Sequence, residues 1–344
     1  MSHGRFDNPV VAALAGFWDL FRRQDNAARF TDKDRADGLT CLVTGANSGL
    51  GFAVAVELAR RGGRVIMACR RQIPEAGEKV REISGSGKVE MRFIDLSRIE
   101  TIHEFCRGLE KDGIHPDVVI LNAGVALPES RKTDSGLEEM FLVNYLSNVM
   151  LTTLMLNKGL IGGNPGTDRP IPRIIFISSD SHQGSSYIDY SEFGKYYEYG
   201  PSKGIANYSY FKLILNTFAT ELSRRINHDR SGGHKSILRA GVNVICPGPV
   251  HSNIIKEAPF FLRIILGSIF KIIFRSPAKA ALPVVYLGIS PDFEGRTNEY
   301  LHMFNNKMMD PKVYIPEEGE KLWSRSYELW RSVDPFAEEL SRED

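Results

Sequence analysis

The 344-residue sequence has only four cysteines, Cys41, Cys69, Cys106 and Cys246. They form neither a C-x-x-C pair nor a Cys/His cluster with ligand spacing, so no metal site and no disulfide framework is expected. Charge of one sign is not in surplus: 43 Lys and Arg balance 42 Asp and Glu, for a formal net charge of +1. A nucleic-acid binder would want a basic face or stripe, so no nucleic-acid partner is expected. No stretch reaches the roughly 20 uninterrupted apolar residues of a membrane-spanning helix. Residues 1–5 lead into polar sequence, not into the apolar centre of a cleavable signal peptide. A G-x-S-x-G elbow is also missing, which argues against a hydrolase built on Ser179, His182 and an aspartate. Together these absences suit a reduced, cytoplasmic setting.

What the chain does carry is an alternation of short apolar runs with helical periodicity. Strands are expected at 39–43, 64–68, 89–94, 118–121, 173–177 and 242–245. Helices are expected at 52–61, 74–83, 99–112, 137–156 and 204–227. Short apolar strands alternating with helices indicate a parallel sheet covered on both faces, because parallel strands need crossover connections. The expected fold class is therefore α/β: a Rossmann-like doubly wound parallel sheet, in a single domain with a lipophilic substrate lid. An amphipathic extension and linker is expected at 1–38, the Rossmann-like domain at 39–312 with its lid at about 253–276, and a C-terminal extension at 313–344. The length would accommodate two domains of about 150 residues, but no shift in composition marks a second one.

Between the first strand and its helix lies Thr44-Gly45-Ala46-Asn47-Ser48-Gly49-Leu50-Gly51. Glycines there let the backbone turn tightly and approach a pyrophosphate seated on the helix N-terminus. The spacing is GxxxGxG, not the commoner GxGxxG. The second strand runs into Cys69-Arg70-Arg71. An acidic residue at that place would accept a ribose 2′-OH, whereas arginine suits a 2′-phosphate, which points to NADP(H). Asp95-Leu96 and Asn122-Ala123-Gly124 follow the third and fourth strands, at the carboxyl ends where open α/β sheets bind ligands.

With Pro247-Gly248-Pro249-Val250 further on, these motifs stand in the order of the short-chain dehydrogenase/reductase superfamily, which the chain resembles over about residues 39–312. Ala68-Cys69-Arg70, the run Ser178-Ser179-Asp180-Ser181-His182 and the tail Glu320-Lys321-Leu322-Trp323 are most similar to the retinol-dehydrogenase and WW-domain-oxidoreductase branch. The resemblance implies an enzyme that uses NADP(H) to interconvert a lipophilic carbonyl (a retinoid, steroid or long-chain aldehyde or ketone) and its alcohol. It implies cofactor contacts from Gly45, Asn47, Ser48, Gly49, Leu50 and Gly51, from Arg70 and Arg71, from Asp95 and Leu96, and from Asn122, Ala123 and Gly124. Tyr208 and Lys212 join them, as do Pro247, Gly248, Val250 and Ser252. Ser252 replaces the family's usual threonine and keeps its hydroxyl.

Carbonyl reduction leaves charge on oxygen, so the protein must polarise that atom and give it a proton. A tyrosine serves if its pKa falls from about 10 towards neutral, which a lysine one helical turn away favours. Two Tyr-x-x-x-Lys pairs compete. Tyr199-Gly200-Pro201-Ser202-Lys203 keeps the small serine that the family favours before lysine. Tyr208-Ser209-Tyr210-Phe211-Lys212 has Phe211 there, yet Gly200-Pro201 reads as a helix start, which puts Tyr208 inside the helix. Its distance to Phe218-Ala219-Thr220-Glu221-Leu222 also matches retinol-dehydrogenase-like chains. Tyr208 and Lys212 are therefore favoured. By family position Ser179 binds the substrate oxygen, and Asn144 holds a water beside the lysine.

The apolar segment 259–274, with Phe260, Phe261, Ile264, Ile265 and Phe270, fits a lid over a lipophilic substrate. Core packing and peripheral membrane contact are the competing readings. Val10, Val11, Leu14, Phe17, Trp18 and Phe21, at helical spacing, offer a similar choice. Residence at an intracellular membrane and assembly into a homo-oligomer both stay open. The reading from another class is a non-catalytic NADP-binding interaction protein, favoured only by the duplicated, imperfect Tyr/Lys motif.

Overall fold

The structure, a computed structural model, describes residues 30–162, 170–227, 238–250 and 275–336. Eight strands make one sheet: β1 (Thr40–Thr44), β2 (Arg64–Cys69), β3 (Val89–Phe93), β4 (Val118–Leu121), β5 (Arg173–Ile177), β6 (Gly241–Cys246), β7 (Tyr300–His302) and β8 (Asn305–Asn306). Their order is β3-β2-β1-β4-β5-β6-β7-β8. Neighbours run parallel except β7 and β8, which are antiparallel. The chain builds outward from β1 to β3, then returns to lay β4 on the other side of β1. That reversal opens a crevice between the carboxyl ends of β1 and β4, where such sheets bind ligands.

Successive residues of a strand face opposite sides. Leu42, Ile174 and Phe176 enter one core, while Cys41, Val43, Ile175 and Ile177 enter the other. The first core lies under α3 (Ile99–Lys111), α4 (Glu139–Asn157), α5 (Pro201–Ile226) and α7 (Pro316–Val333); the second lies under α1 (Gly49–Arg60), α2 (Glu75–Ser84) and α6 (Pro277–Ile289). By length and composition α4 could cross a membrane, but 89% of it is buried inside the protein, which makes it a core helix.

Helix starts depart from expectation for local reasons. The glycine turn leads directly into α1 at Gly49, and α5 begins at Pro201, with proline in the first turn where it loses no hydrogen bond. The periodicity reading missed α6, β7 and β8. The two strands are three and two residues long, too short to show a period. Residues 316–333, set apart by the sequence as an extension, form α7 and pack on α5. Leu322 and Trp330 there are fully buried in the first core. The Asp334 carboxylate accepts His103 Nε2 at 2.8 Å and Trp330 Nε1, tying the end of α7 to α3. Upstream of β1, Phe30 packs on Tyr286 and Phe304 beneath the Arg61 guanidinium. Ser252, most of the expected lid and the stretch from Val10 to Phe21 lie outside the described residues.

Candidate active site

The loop after β1 is shaped for close approach by a ligand. Gly45 and Gly49 take φ of +64° and +58°, a region that disfavours side chains. A Cβ on Gly51 would sit 2.5 Å from the Gly45 carbonyl oxygen. Ser48 caps α1 in an extended conformation without bonding the helix through its side chain. The N–H groups of the first turn thus point along the loop, and the first turn holds no acidic residue to oppose an anion. Thr44 Oγ1 accepts the N–H groups of Asn122 and Ala123, each at 3.0 Å, and Asn122 Nδ2 donates to the Thr44 carbonyl at 2.9 Å. These bonds stitch the Asn122-Ala123-Gly124 loop to the glycine turn across the crevice. The glycine turn therefore leaves backbone exposed at the N-terminus of α1, where a helix favours an anion.

At the end of β2, Arg70 and Arg71 are exposed. Asn47 Nδ2 donates to Gln72 Oε1 at 3.0 Å, closing this corner. Arg70 does not stand free: its Nη1 is 3.7 Å from Asp95 and 3.9 Å from Glu139. Asp95 is further occupied by the Ser97 N–H and hydroxyl, and Ser147 Oγ donates to the Leu96 carbonyl, so the loop after β3 is rigidly held.

The residues expected to do the chemistry lie on β5, α4 and α5. Lys212 Nζ donates to the Ile177 carbonyl at 2.8 Å, which fixes the Tyr208-Lys212 face of α5 against the end of β5, two residues before Ser179. The ammonium lies 5.5 Å from the Tyr208 ring centroid. Burial lowers the Lys212 pKa from 10.5 to about 8. The tyrosine departs from expectation. Desolvation, with Cys246 adding to it, raises the Tyr208 phenol above its ordinary value. The ammonium bonds the Ile177 carbonyl. Ser179 Oγ accepts the Ser181 N–H at 3.2 Å, which leaves its own proton to donate.

Asn144 sits within a π-helical turn of α4, Leu142–Leu146. Such turns often mark functional positions because they displace carbonyls from the regular ladder. Its side-chain amide pairs with the Val125 backbone, donating to the carbonyl at 2.7 Å and accepting the N–H at 2.8 Å. Its own carbonyl also accepts Asn148 Nδ2 at 3.1 Å. Gly248 takes φ of +82°, and a Cβ there would press on Met303 at 3.2 Å. Pro247 and Gly248 follow β6, while Val250 bridges to Arg275.

The rival pair has another use. The Tyr199 hydroxyl donates to Glu138 Oε1 at 2.8 Å, and Glu138 Oε2 accepts the Phe141 N–H at the start of α4. Lys203 is exposed. Tyr199 therefore ties the segment before α5 to the start of α4. Glu138, Asn148 and the partners of His182 were missed by the sequence reading. A buried acid beside a helix start was the available signal for Glu138 alone.

The short chain dehydrogenase family profile matches residues 39–192. Retinol dehydrogenase 13 of Mus musculus is 32% identical over 326 residues, covering 93% of this chain and 92% of that one. Polyprenol dehydrogenase of Homo sapiens is 29% identical over 295 residues, covering 85% of each. A crystal structure of an uncharacterized protein from Mycobacterium paratuberculosis superposes with a TM-score of 0.62 at 25% identity, covering 89% of this chain and 98% of that one. The glycine cradle at the sheet reversal, the Tyr208-Lys212 face beside Ser179 and these likenesses agree: the chain belongs to the short-chain dehydrogenase family, in its retinol dehydrogenase branch.

Proposed function

We propose that this chain is an NADP(H)-dependent oxidoreductase that interconverts a lipophilic carbonyl and its alcohol, with Tyr208 as the general acid and base. The observation that carries the reading is the bond from Lys212 to the Ile177 carbonyl, which brings Tyr208, Lys212 and Ser179 to one end of the sheet. The relatives named for retinol and polyprenol support a lipophilic substrate.

The residues divide the work as follows. The Gly45–Gly51 backbone and the α1 N-terminus hold the pyrophosphate. Arg70 and Arg71, with Asn47 beside them, meet the 2′-phosphate. Asp95 and Leu96 flank the adenine side, while Asn122, Ala123 and Gly124 shape the floor of the crevice. Pro247, Gly248, Val250 and Ser252 border the nicotinamide side. When bound, the cofactor supplies the hydride. Ser179 donates a hydrogen bond to the carbonyl oxygen. Tyr208, kept protonated by its surroundings, gives that oxygen its proton. Lys212, poised near neutrality, returns a proton to the phenol through an intervening hydroxyl or water, and the Asn144 carbonyl orients the water that resupplies it. Oxidation of the alcohol uses the same groups in reverse.

The test is NADPH consumption against retinal, steroid ketones and long-chain aldehydes, repeated with NADH. Turnover of a lipophilic carbonyl with NADPH favoured at least about tenfold supports the reading, since loss of a charge-assisted phosphate contact is worth that much. Equal or better use of NADH removes the assignment of Arg70 and Arg71. If 8–24 and 259–276 contact lipid, the protein floats with liposomes; protein wholly in the soluble fraction removes that part.

A further inference from the structure

Ser179 is gripped from a direction that proton transfer does not require. His182, fully buried, turns back so that Nδ1 donates to the Ser179 carbonyl at 2.7 Å. Its other nitrogen, Nε2, accepts the Asp310 backbone N–H at 3.1 Å. A carbonyl only accepts and a backbone N–H only donates, so these two partners fix the ring as the neutral Nδ1–H tautomer. Asp180 anchors the same turn to the far edge of the sheet: its carboxylate takes the Tyr300 hydroxyl of β7 and the Lys307 ammonium, with His302 Nδ1 at 3.7 Å. The carbonyl of Ser179 is thus held by His182 while its Oγ is held by the Ser181 N–H. With both ends of the residue fixed, the hydroxyl proton is left a narrow range of directions.

We infer that His182 is a positioning residue: by pinning the Ser179 carbonyl against the Asp310 backbone, it sets the direction in which the Ser179 hydroxyl donates to substrate. This rests on the role proposed above for Ser179. It also assigns the segment after β8 a part in the reaction, through the Asp310 backbone N–H that fixes His182. Acid opposes the arrangement. A proton added at Nε2 would face the Asp310 N–H, donor against donor. The charged groups around the ring are Asp180 in its own turn and Lys307 and Asp310 from beyond β8, while Tyr300 of β7 meets it edge-on at 5.7 Å. Burial outweighs the two carboxylates and holds the imidazole below its ordinary pKa.

Two measurements test this. In the cofactor-free protein, long-range nitrogen–proton correlation spectra read the tautomer, with His182 assigned by the signal lost in His182→Asn. The expected result is a neutral Nδ1–H ring at pH 7 that titrates below about 6.5. An Nε2–H ring, or titration at or above that value, overturns the inference. The second measurement is a double-variant cycle, run with NADPH and the fastest carbonyl of the panel above. His182→Asn is expected to lower kcat about 10- to 100-fold, the cost of a misplaced group near the chemistry, with the Kd for NADPH unchanged. In a Ser179→Ala background the same change is expected to cost nothing further. Losses that multiply in the double variant overturn the inference and leave the reading of Ser179 intact. Full activity in Ser179→Ala alone overturns both.

Discussion

Replacing Lys212 by methionine should stabilise this protein while abolishing its activity. The lysine is only 5% exposed, and burial lowers its pKa from 10.5 to about 8. Below pH 8 the folded chain carries a buried ammonium that the unfolded chain would hydrate. The gap of about 2.5 pH units, at about 1.36 kcal/mol each, makes that cost about 3 kcal/mol. Between pH 8 and 10.5 the unfolded chain holds a proton that the folded chain lacks, so stability rises with pH through this window. Methionine keeps most of the apolar stem and removes the titration. It also leaves the Ile177 carbonyl without its partner, which takes back about 1–3 kcal/mol. The variant should therefore be more stable than the parent by up to about 2 kcal/mol at pH 7. The parent should then gain on the variant by about 3 kcal/mol between pH 7.5 and 10.5. Urea unfolding of both cofactor-free proteins across that range measures this directly. A stability difference that stays constant with pH would refute the reasoning, because it would mean that Lys212 titrates alike in the folded and unfolded chains.

Other outcomes follow from single contacts. Gly51→Ala puts a methyl against the Gly45 carbonyl and Asn122 Nδ2, so overpacking of about 1–3 kcal/mol should weaken NADPH about 10- to 100-fold in a fluorescence titration. Tyr199→Phe removes one hydrogen bond from the buried Glu138 carboxylate, whose pKa burial already raises; a loss of about 1–3 kcal/mol in urea with kcat kept is the expected result. Trp330→Ala empties a fully buried site of the first core and should cost about 3–5 kcal/mol, although the residue lies beyond the boundary drawn from the sequence.

The central sheet was legible because its strands are short apolar runs and their helices periodic; Val118–Leu121 and Arg173–Ile177 stand where the runs of Val, Ile and Phe put them. The glycine turn was legible for a stronger reason, since a positive φ at Gly45 and the close approach of Gly51 to Asn122 demand that residue type. The choice between two Tyr-x-x-x-Lys pairs rested on where a helix can begin, and Pro201 at the start of α5 is a local rule that sequence displays. The grip on Ser179 was not legible. It joins His182 to Asp310 and Asp180 to Lys307, pairs more than 120 residues apart that only the finished sheet brings together. The place of the Lys212 ammonium was hidden for a related reason. A helical spacing of four predicts that a lysine is near, but not that its ammonium is taken by the Ile177 carbonyl.

The most direct test of the account is the rate of NADPH oxidation with a lipophilic carbonyl, measured for the parent chain beside Tyr208→Phe. The account predicts turnover in the parent and a loss of at least about 100-fold in the variant, the usual contribution of a positioned acid, with NADPH still bound. Full turnover in Tyr208→Phe, or an equal loss in Tyr199→Phe, would contradict it.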